Sequence, residues 1–472
     1  MKKSIYLGIT LILAASTVLS ACGDKNESSS TEKDNTQTAT TTDTAKTETE
    51  TPAKEEEPKK EEAEPFTVSL RHIQISDAQK FRKAILDDVV KKTEADVPGL
   101  TIELDGVEDQ VNRFTKLPAE MAAGNPPKIF DLFGGAGDAL KYAKAGRLLD
   151  LTPIIAELGI GDKFLNLNQF TLDGKVYGLP IGGSTEGFFY SKPLFEKYGI
   201  KEPTTWDELE AAADTLSKNK ITPFAMGSKG AWVPNMLVNT LIGRYAGPEA
   251  IDGFPAGSQA WNSPEVVAAF SKYQEWEKKG YFTKGELGLE YADMLNQFVT
   301  GKAGMMFDGS WRSSVFKDQA QAGDLTNQVG FFTMPGVPNG KGNQLAVNGN
   351  YSNGYGFSAD LTPQELTAVK AFIKNMYSEE MQLRGLLEDG LLPSMKLSDE
   401  SIAKVEDPIV KQVMQILGNS GGAFSHFDST VASDVYKESE SQIQKLIAGK
   451  SSAQEVADAM QKVQEKALAA AK

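Results

Sequence analysis

From Asp24 to Glu64 the chain carries no Val, Ile, Leu, Met or aromatic residue, and that gap decides where a fold can be built. Ten threonines, thirteen acids and six lysines fill most of it, for a net charge of −7. A segment that buries no apolar surface cannot offset the entropy lost on ordering its backbone, so it is expected to be a disordered tether. Any core must come from residues 66–472, which hold 41 basic and 51 acidic groups, a net of −10.

Upstream of the gap, Lys2 and Lys3 precede an apolar run from Ile5 to Leu19 that is short for a bilayer span. It ends in Leu19-Ser20-Ala21-Cys22-Gly23, which resembles the lipobox of bacterial lipoproteins. That resemblance implies a signal peptide over residues 1–21, cleaved before Cys22, and a diacylglycerol on the Cys22 thiol. Acyl chains would then hold the protein at the outer face of the cell membrane, each buried methylene contributing about 0.8 kcal/mol. Residues 22–65, a lipidated cysteine and a long hydrophilic spacer, suit a Gram-positive surface, where the folded part must clear the headgroups and reach into the wall.

The charge and the rare residues exclude several functions. A net of −15 argues against a nucleic-acid partner, because phosphate-binding faces are basic. One cysteine and two histidines, His72 and His426, leave no disulfide framework and no zinc site built from Cys and His. No metal and no cofactor is expected.

Residues 66–472 mix short β-rich runs with amphipathic helices, the pattern of an α/β fold. Phe66–Leu70, Leu100–Leu104 and Lys128–Phe133 read as strands, with a helix carrying Phe81, Ile85 and Val89 after the first. Thr205-Trp206-Asp207-Glu208 and Thr362-Pro363-Gln364-Glu365 fit capping boxes, and Ser263-Pro264 starts a helix that Gly280 ends. The stripes Phe270/Tyr273 and Phe372/Met376 have helical spacing and belong to a core. The last stretch, about Tyr436 to Ala470, is helical with a break near Gly449.

Val176-Tyr-Gly-Leu-Pro180 leads through Gly182-Gly-Ser-Thr-Glu186 to Phe188-Phe-Tyr-Ser-Lys-Pro-Leu194. Pro203-Thr-Thr-Trp206-Asp-Glu-Leu209, Phe298 through Asp308-Gly-Ser-Trp311, the helix after Thr362 and Gly390-Leu-Leu-Pro393 follow in order. The ordered set resembles family 1 extracellular solute-binding proteins, the sugar-binding lipoproteins of ABC importers, among them maltose-binding protein. The resemblance implies a two-lobed periplasmic-binding-protein-like fold with a ligand cleft between lobes and several hinge crossings. Lobe one would be about 66–183 plus 353–394, and lobe two 184–352 plus 395–472, with crossings at Gly182–Thr185, Asn350–Gly356 and Leu392–Met395.

Sugar recognition needs aromatic faces for the C–H side of a pyranose and planar polar groups for its hydroxyls. Trp311 is the leading candidate, with Asp308 as hydroxyl acceptor and Gly309 keeping the backbone close to the ligand. Gly134 and Gly135, after the third strand, would let a ligand approach the backbone. Of Ser184, Thr185 and Glu186, alternation allows Ser184 and Glu186 to share one side and sends Thr185 to the other. Trp232, Asn350, Tyr351, Asn353 and His426 complete the set, and the loop Gln74–Asp77 is placed well for it.

The expected function is that of a monomeric receptor, not an enzyme. It captures a carbohydrate by lobe closure and delivers it to the permease subunits of an ABC importer. The alternatives are a surface lipoprotein glycosidase, which needs two carboxylates at a fixed separation, an adhesion protein, or a solute-binding protein for a cation or polyamine.

Overall fold

The computed structural model describes residues 64–470; the expected signal peptide, the expected lipidation site Cys22 and the expected tether fall outside them. In the strand Phe66–His72, Val68 and Leu70 are fully buried, as alternation toward a core requires. It pairs in parallel with Leu100–Gly106, from Phe66 opposite Leu100 to His72 opposite Gly106. A parallel pair needs a crossover, and the helix Lys80–Asp96 supplies it, burying Ile85, Leu86, Val89, Val90 and Thr93. The five-stranded sheet runs Leu100–Gly106, Phe66–His72, Ile129–Phe133, Asn353–Phe357, Leu179–Pro180. The first three strands are parallel, and Asn353–Phe357 is antiparallel to both its neighbours.

A second sheet is organised on one ten-residue strand, Gly182–Ser191. Its start pairs with Leu392–Pro393 and its next residues with Val347–Asn350. Its outer half pairs with Ala303–Gly309 on one side and Val329–Phe332 on the other. Phe188, Phe189, Phe224 and Phe307 are fully buried there, and Trp206 stacks on Trp276 at 5.5 Å. Each sheet has its own apolar core.

The helix signals act as the sequence predicts. Thr205 and Glu208, and again Thr362 and Glu365, bond reciprocally as capping boxes. Pro264–Lys279 begins after Ser263 and stops at Gly280 with φ of 70°. The terminal stretch is two helices, Ser433–Ile447 and Ala453–Ala470, separated at Gly449 with φ of 65°. Phe270, Tyr273, Phe372 and Met376 are core residues.

The chain leaves the first sheet at Pro180 and enters the second at Gly182. It returns between Asn350 and Asn353. Near Leu392 it touches both sides, since Leu392 pairs with Gly183 while Met395 bridges to Phe164. Gly182, Asn350, Asn353 and Leu391, at these three passages, line the same cavity. Among the described residues no helix is long and apolar enough to cross a membrane.

Candidate ligand-binding site

The cavity has a volume of about 680 Å³, within the range of small-molecule sites. Ile73, Ile75, Ser76 and Asp77, just past the end of the first strand, form part of one wall with Phe133. Ser184 and Glu186 enter from the long strand of the second sheet, and Thr185, fully buried, donates its hydroxyl to the Asn348 carbonyl instead. The pleat of the strand is the cause.

An aromatic corner is assembled from Trp232, Tyr291 and Trp311. Trp311 Nε1 donates to Tyr291 Oη at 2.9 Å, and that hydroxyl donates in turn to both oxygens of Asp308, at 2.7 and 2.8 Å. Trp232 meets the Tyr291 ring edge-on with centroids 4.6 Å apart, and the Arg312 guanidinium lies over the Tyr291 ring, 4.1 Å from its centroid. Asp308 is fully buried and does not reach the cavity, so the expected hydroxyl acceptor is instead the anchor beneath the aromatic corner. Burial raises its pKa, and Arg312, Tyr291 and the Gly309 N–H pull it back. Gly309 also acts differently from the sequence reading. A Cβ there would collide with the indole of Trp311, so the glycine makes room for the tryptophan rather than for a ligand.

A second corner is built on Arg113, which sequence reasoning missed. Its Nε and Nη2 donate to Asp138 Oδ2 at 3.0 and 2.8 Å, and its Nη1 donates to Asp428 Oδ2 at 2.8 Å. The guanidinium sits 4.2 Å from the Phe133 ring centroid. Gly134 and Gly135 do not line the cavity. Their loop closes on the segment after His426, with the Ala136 N–H bonded to the Ser429 carbonyl at 3.0 Å. At Gly135, φ is 91° and a Cβ would collide with that same carbonyl, so backbone contact with Ser429 explains the glycine. Tyr351 is likewise off the cavity wall, its ring lying against Gly183.

Glu186 and His426 form the third feature. Glu186 is 1% exposed, and its Oε1 lies 3.1 Å from His426 Nε2. Asn348 Nδ2 donates to Glu186 Oε2 and, at 2.8 Å, to Thr240. Asn239 donates to Asn348 Oδ1 at 3.0 Å and accepts from the Phe427 N–H at 3.1 Å, which fixes the turn carrying His426. Burial pushes the Glu186 carboxyl well above its usual range, helped by Asp428 and Asp308, and pushes the His426 imidazole down.

Asn350 and Asn353 also line the cavity; Asn353 donates to Asp131 at 3.1 Å, and Asn350 Oδ1 accepts from Ser352 Oγ at 2.7 Å. Every arginine on the wall already pairs with a carboxylate: Arg82 with Asp389, Arg113 with Asp138 and Asp428, Arg312 with Asp308. Among the described residues no cluster of three His, Cys, Asp or Glu side chains could hold a metal ion. The string Gly418-Asn419-Ser420-Gly421-Gly422 has the spacing of a nucleophile elbow. Its first two residues end the helix Pro408–Asn419, however, with no strand before the serine, and Ser420 Oγ donates to the Leu417 carbonyl at 3.0 Å. It is therefore a helix terminus, lacking the strand-to-helix turn such an elbow needs.

A family profile described as bacterial extracellular solute-binding protein matches residues 77–383. The multiple sugar-binding protein of Streptococcus mutans is 26% identical over 285 residues, which cover 57% of this chain and 63% of that protein. A solved chitin oligosaccharide binding protein is 48% identical with a TM-score of 0.80, and the match covers 86% of this chain and all of that one. A structure from work on xylan utilization by Caldanaerobius polysaccharolyticus shares the fold at 23% identity and a TM-score of 0.77, covering 84% of this chain and all of that one. A two-lobed α/β scaffold around a ligand-sized cavity, matched over most of its length, places the chain in a class of binding proteins. It belongs to the family of bacterial extracellular solute-binding proteins.

Proposed function

We propose that this protein captures a neutral oligosaccharide, of the N-acetylated amino-sugar kind that chitin yields, and delivers it to the permease of an ABC importer. The observation that carries this reading is the aromatic corner of Trp232, Tyr291 and Trp311, in a cavity whose arginines are all matched by carboxylates. Flat aromatic surface suits sugar C–H faces, and matched arginines leave nothing to attract an anion. The likeness to a chitin oligosaccharide binding protein supports the choice among sugars.

On this reading the ligand-binding residues are Trp311, Trp232, Ser184, Asn350, Asn353 and His426, with Glu186 set behind His426. Residues 66–183 with 353–394 form one lobe and 184–352 with 395–472 the other. The ligand is enclosed when they close, so affinity depends on the population of the closed state. Residues 1–21 are removed, Cys22 carries the lipid, and the protein works as a monomer on the outer face of the membrane without chemistry of its own.

A thermal-shift screen of the protein against chito-, malto- and xylo-oligosaccharides, with polyamines and divalent metals alongside, tests the reading. A ligand at a hundred times its Kd adds about 2.7 kcal/mol of stability, a readable rise in Tm. A shift from the chito-oligosaccharides is the expected result. A shift from a cation alone, or from nothing, overturns it.

A further inference from the structure

The hydrogen bonds beneath the cavity run in one direction only, and that direction ends on Glu186, whose other carboxyl oxygen faces a ring nitrogen of His426. The run is pinned at one end by backbone groups, which cannot exchange donor for acceptor. The Phe427 N–H must donate, so Asn239 presents Oδ1 to it, and Asn239 Nδ2 then donates to the Ser425 carbonyl at 3.2 Å and to Asn348 Oδ1. Asn348 therefore presents Nδ2 to Glu186, which makes Glu186 Oε2 an acceptor. Any proton on the carboxyl must sit on Oε1, the oxygen that faces His426 Nε2 at 3.1 Å. Neither of those two atoms has a hydrogen-bond partner among the described residues, and the 3.1 Å contact between them lies off the ring N–H direction, so a small rotation of the imidazole is what aligns the pair. The imidazole is 17% exposed on the cavity wall, and with Nε2 enclosed against Glu186 the accessible edge is Nδ1.

We propose that Glu186 holds His426 with its Nδ1 protonated, and that Nδ1–H donates to the acetamido carbonyl of the bound oligosaccharide. Glu186 is then a positioning residue and His426 a specificity-determining one; the assignment of the ligand group rests on the carbohydrate reading above. If Glu186 is the neutral acid, its Oε1–H donates to Nε2 and the ring proton lies on Nδ1. If the proton has moved to the ring, the imidazolium still carries Nδ1–H. Only loss of the shared proton lets the ring rest as the Nε2–H form, with Nδ1 an acceptor. Asp428 and Asp308 oppose that loss at Glu186 while Asn348 favours it; Asp428 holds a proton on His426, and Arg113 opposes it.

The chain has two histidines, so its ring-nitrogen NMR spectrum is simple enough to read directly. With histidine labelled in 15N, and His426→Gln used to assign its signals, His426 is expected to show a protonated Nδ1 near neutral pH. A neutral ring protonated on Nε2 overturns the proposal. Affinity for N,N′-diacetylchitobiose supplies the second reading. Glu186→Ala should weaken binding at least tenfold. The wild type should lose affinity at alkaline pH, and Glu186→Gln, whose amide can donate to Nε2 and accept from Asn348, should recover most of the alanine variant's loss and show no such alkaline decline. Equal losses in the two variants, or parallel pH profiles, overturn the positioning role even where the sugar binds. A wild-type protein that binds none of the oligosaccharides removes the carbohydrate reading and the ligand half of this one, while the NMR result still decides the tautomer.

Discussion

The two charged corners of the cavity are built on opposite economies of charge. At the aromatic corner one arginine meets one carboxylate four residues away, and Asp308 also accepts from Tyr291 and from its neighbour's N–H. At the other, Arg113 is shared by Asp138 and Asp428, 25 and 315 residues distant, with Asp109 and Asp131 also within its field. The first corner is a local platform that holds a tryptophan. The second is a tie between segments that pack on different sheets, and it carries more acid than its single cation can neutralise. The aromatic corner should therefore answer to changes in shape, and the Arg113 corner to changes in charge.

The largest expected effect tests that difference. Arg113→Met leaves two carboxylates facing each other with no cation between them, and removal of one partner from a buried pair costs about 3 kcal/mol or more. Arg312→Met should cost less than half as much, because Asp308 keeps its bonds to Tyr291 and Gly309 and already has a raised pKa. Urea unfolding of both variants measures this, and equal losses would break the comparison.

Next comes binding. Trp311→Ala should weaken oligosaccharide affinity at least tenfold, about 1.4 kcal/mol, with the unfolding midpoint little changed. Gly309→Ala should reproduce much of that loss, since the new methyl displaces the indole without removing it. If Gly309→Ala binds as the wild type does, the corner is less tightly built than its geometry implies. Both affinities are read by titration calorimetry with the same sugar.

The difference between the corners also explains what could be read in the chain beforehand. Asp308, Gly309 and Trp311 are neighbours in sequence, so the corner could be found from a short string, although the string did not show that Asp308 faces inward. The capping boxes at Thr205 and Thr362 are local in the same way. Arg113 stands in a stretch with nothing to distinguish it, and its partner Asp428 is chosen by packing. Asn239 and Asn348, which set the turn at His426, are ordinary asparagines until a helix and a strand bring them together. Gly134 and Gly135 signalled close approach correctly. What approaches them is the backbone at Ser429 and Gln169, and no local signal names a partner so distant.

The smallest effect follows from the excess of acid beside Arg113. Asp131 lies buried in the middle of the first sheet, and burial with nearby Asp109 raises its pKa from 3.8 to about 8, against the pull of Asn353, Arg82 and Arg113. A carboxyl whose pKa is raised by folding stabilises the fold fully only below its unfolded value, and that contribution is lost as pH rises through the folded one. The wild type should therefore lose stability between pH 3.8 and about 8 through this group. Asp131→Asn removes the proton equilibrium and keeps an oxygen for Asn353. Its Tm should match the wild type at the acid end of that window and exceed it by a few degrees at the other, a gap that widens steadily with pH. The corresponding variant at the aromatic corner, Asp308→Asn, should show no such gain, because Arg312 would lose its counter-charge as the proton equilibrium is removed. Were both variants to gain equally with pH, the two corners would share one balance of charge, and Arg113 would not be the overdrawn cation that its neighbours make it.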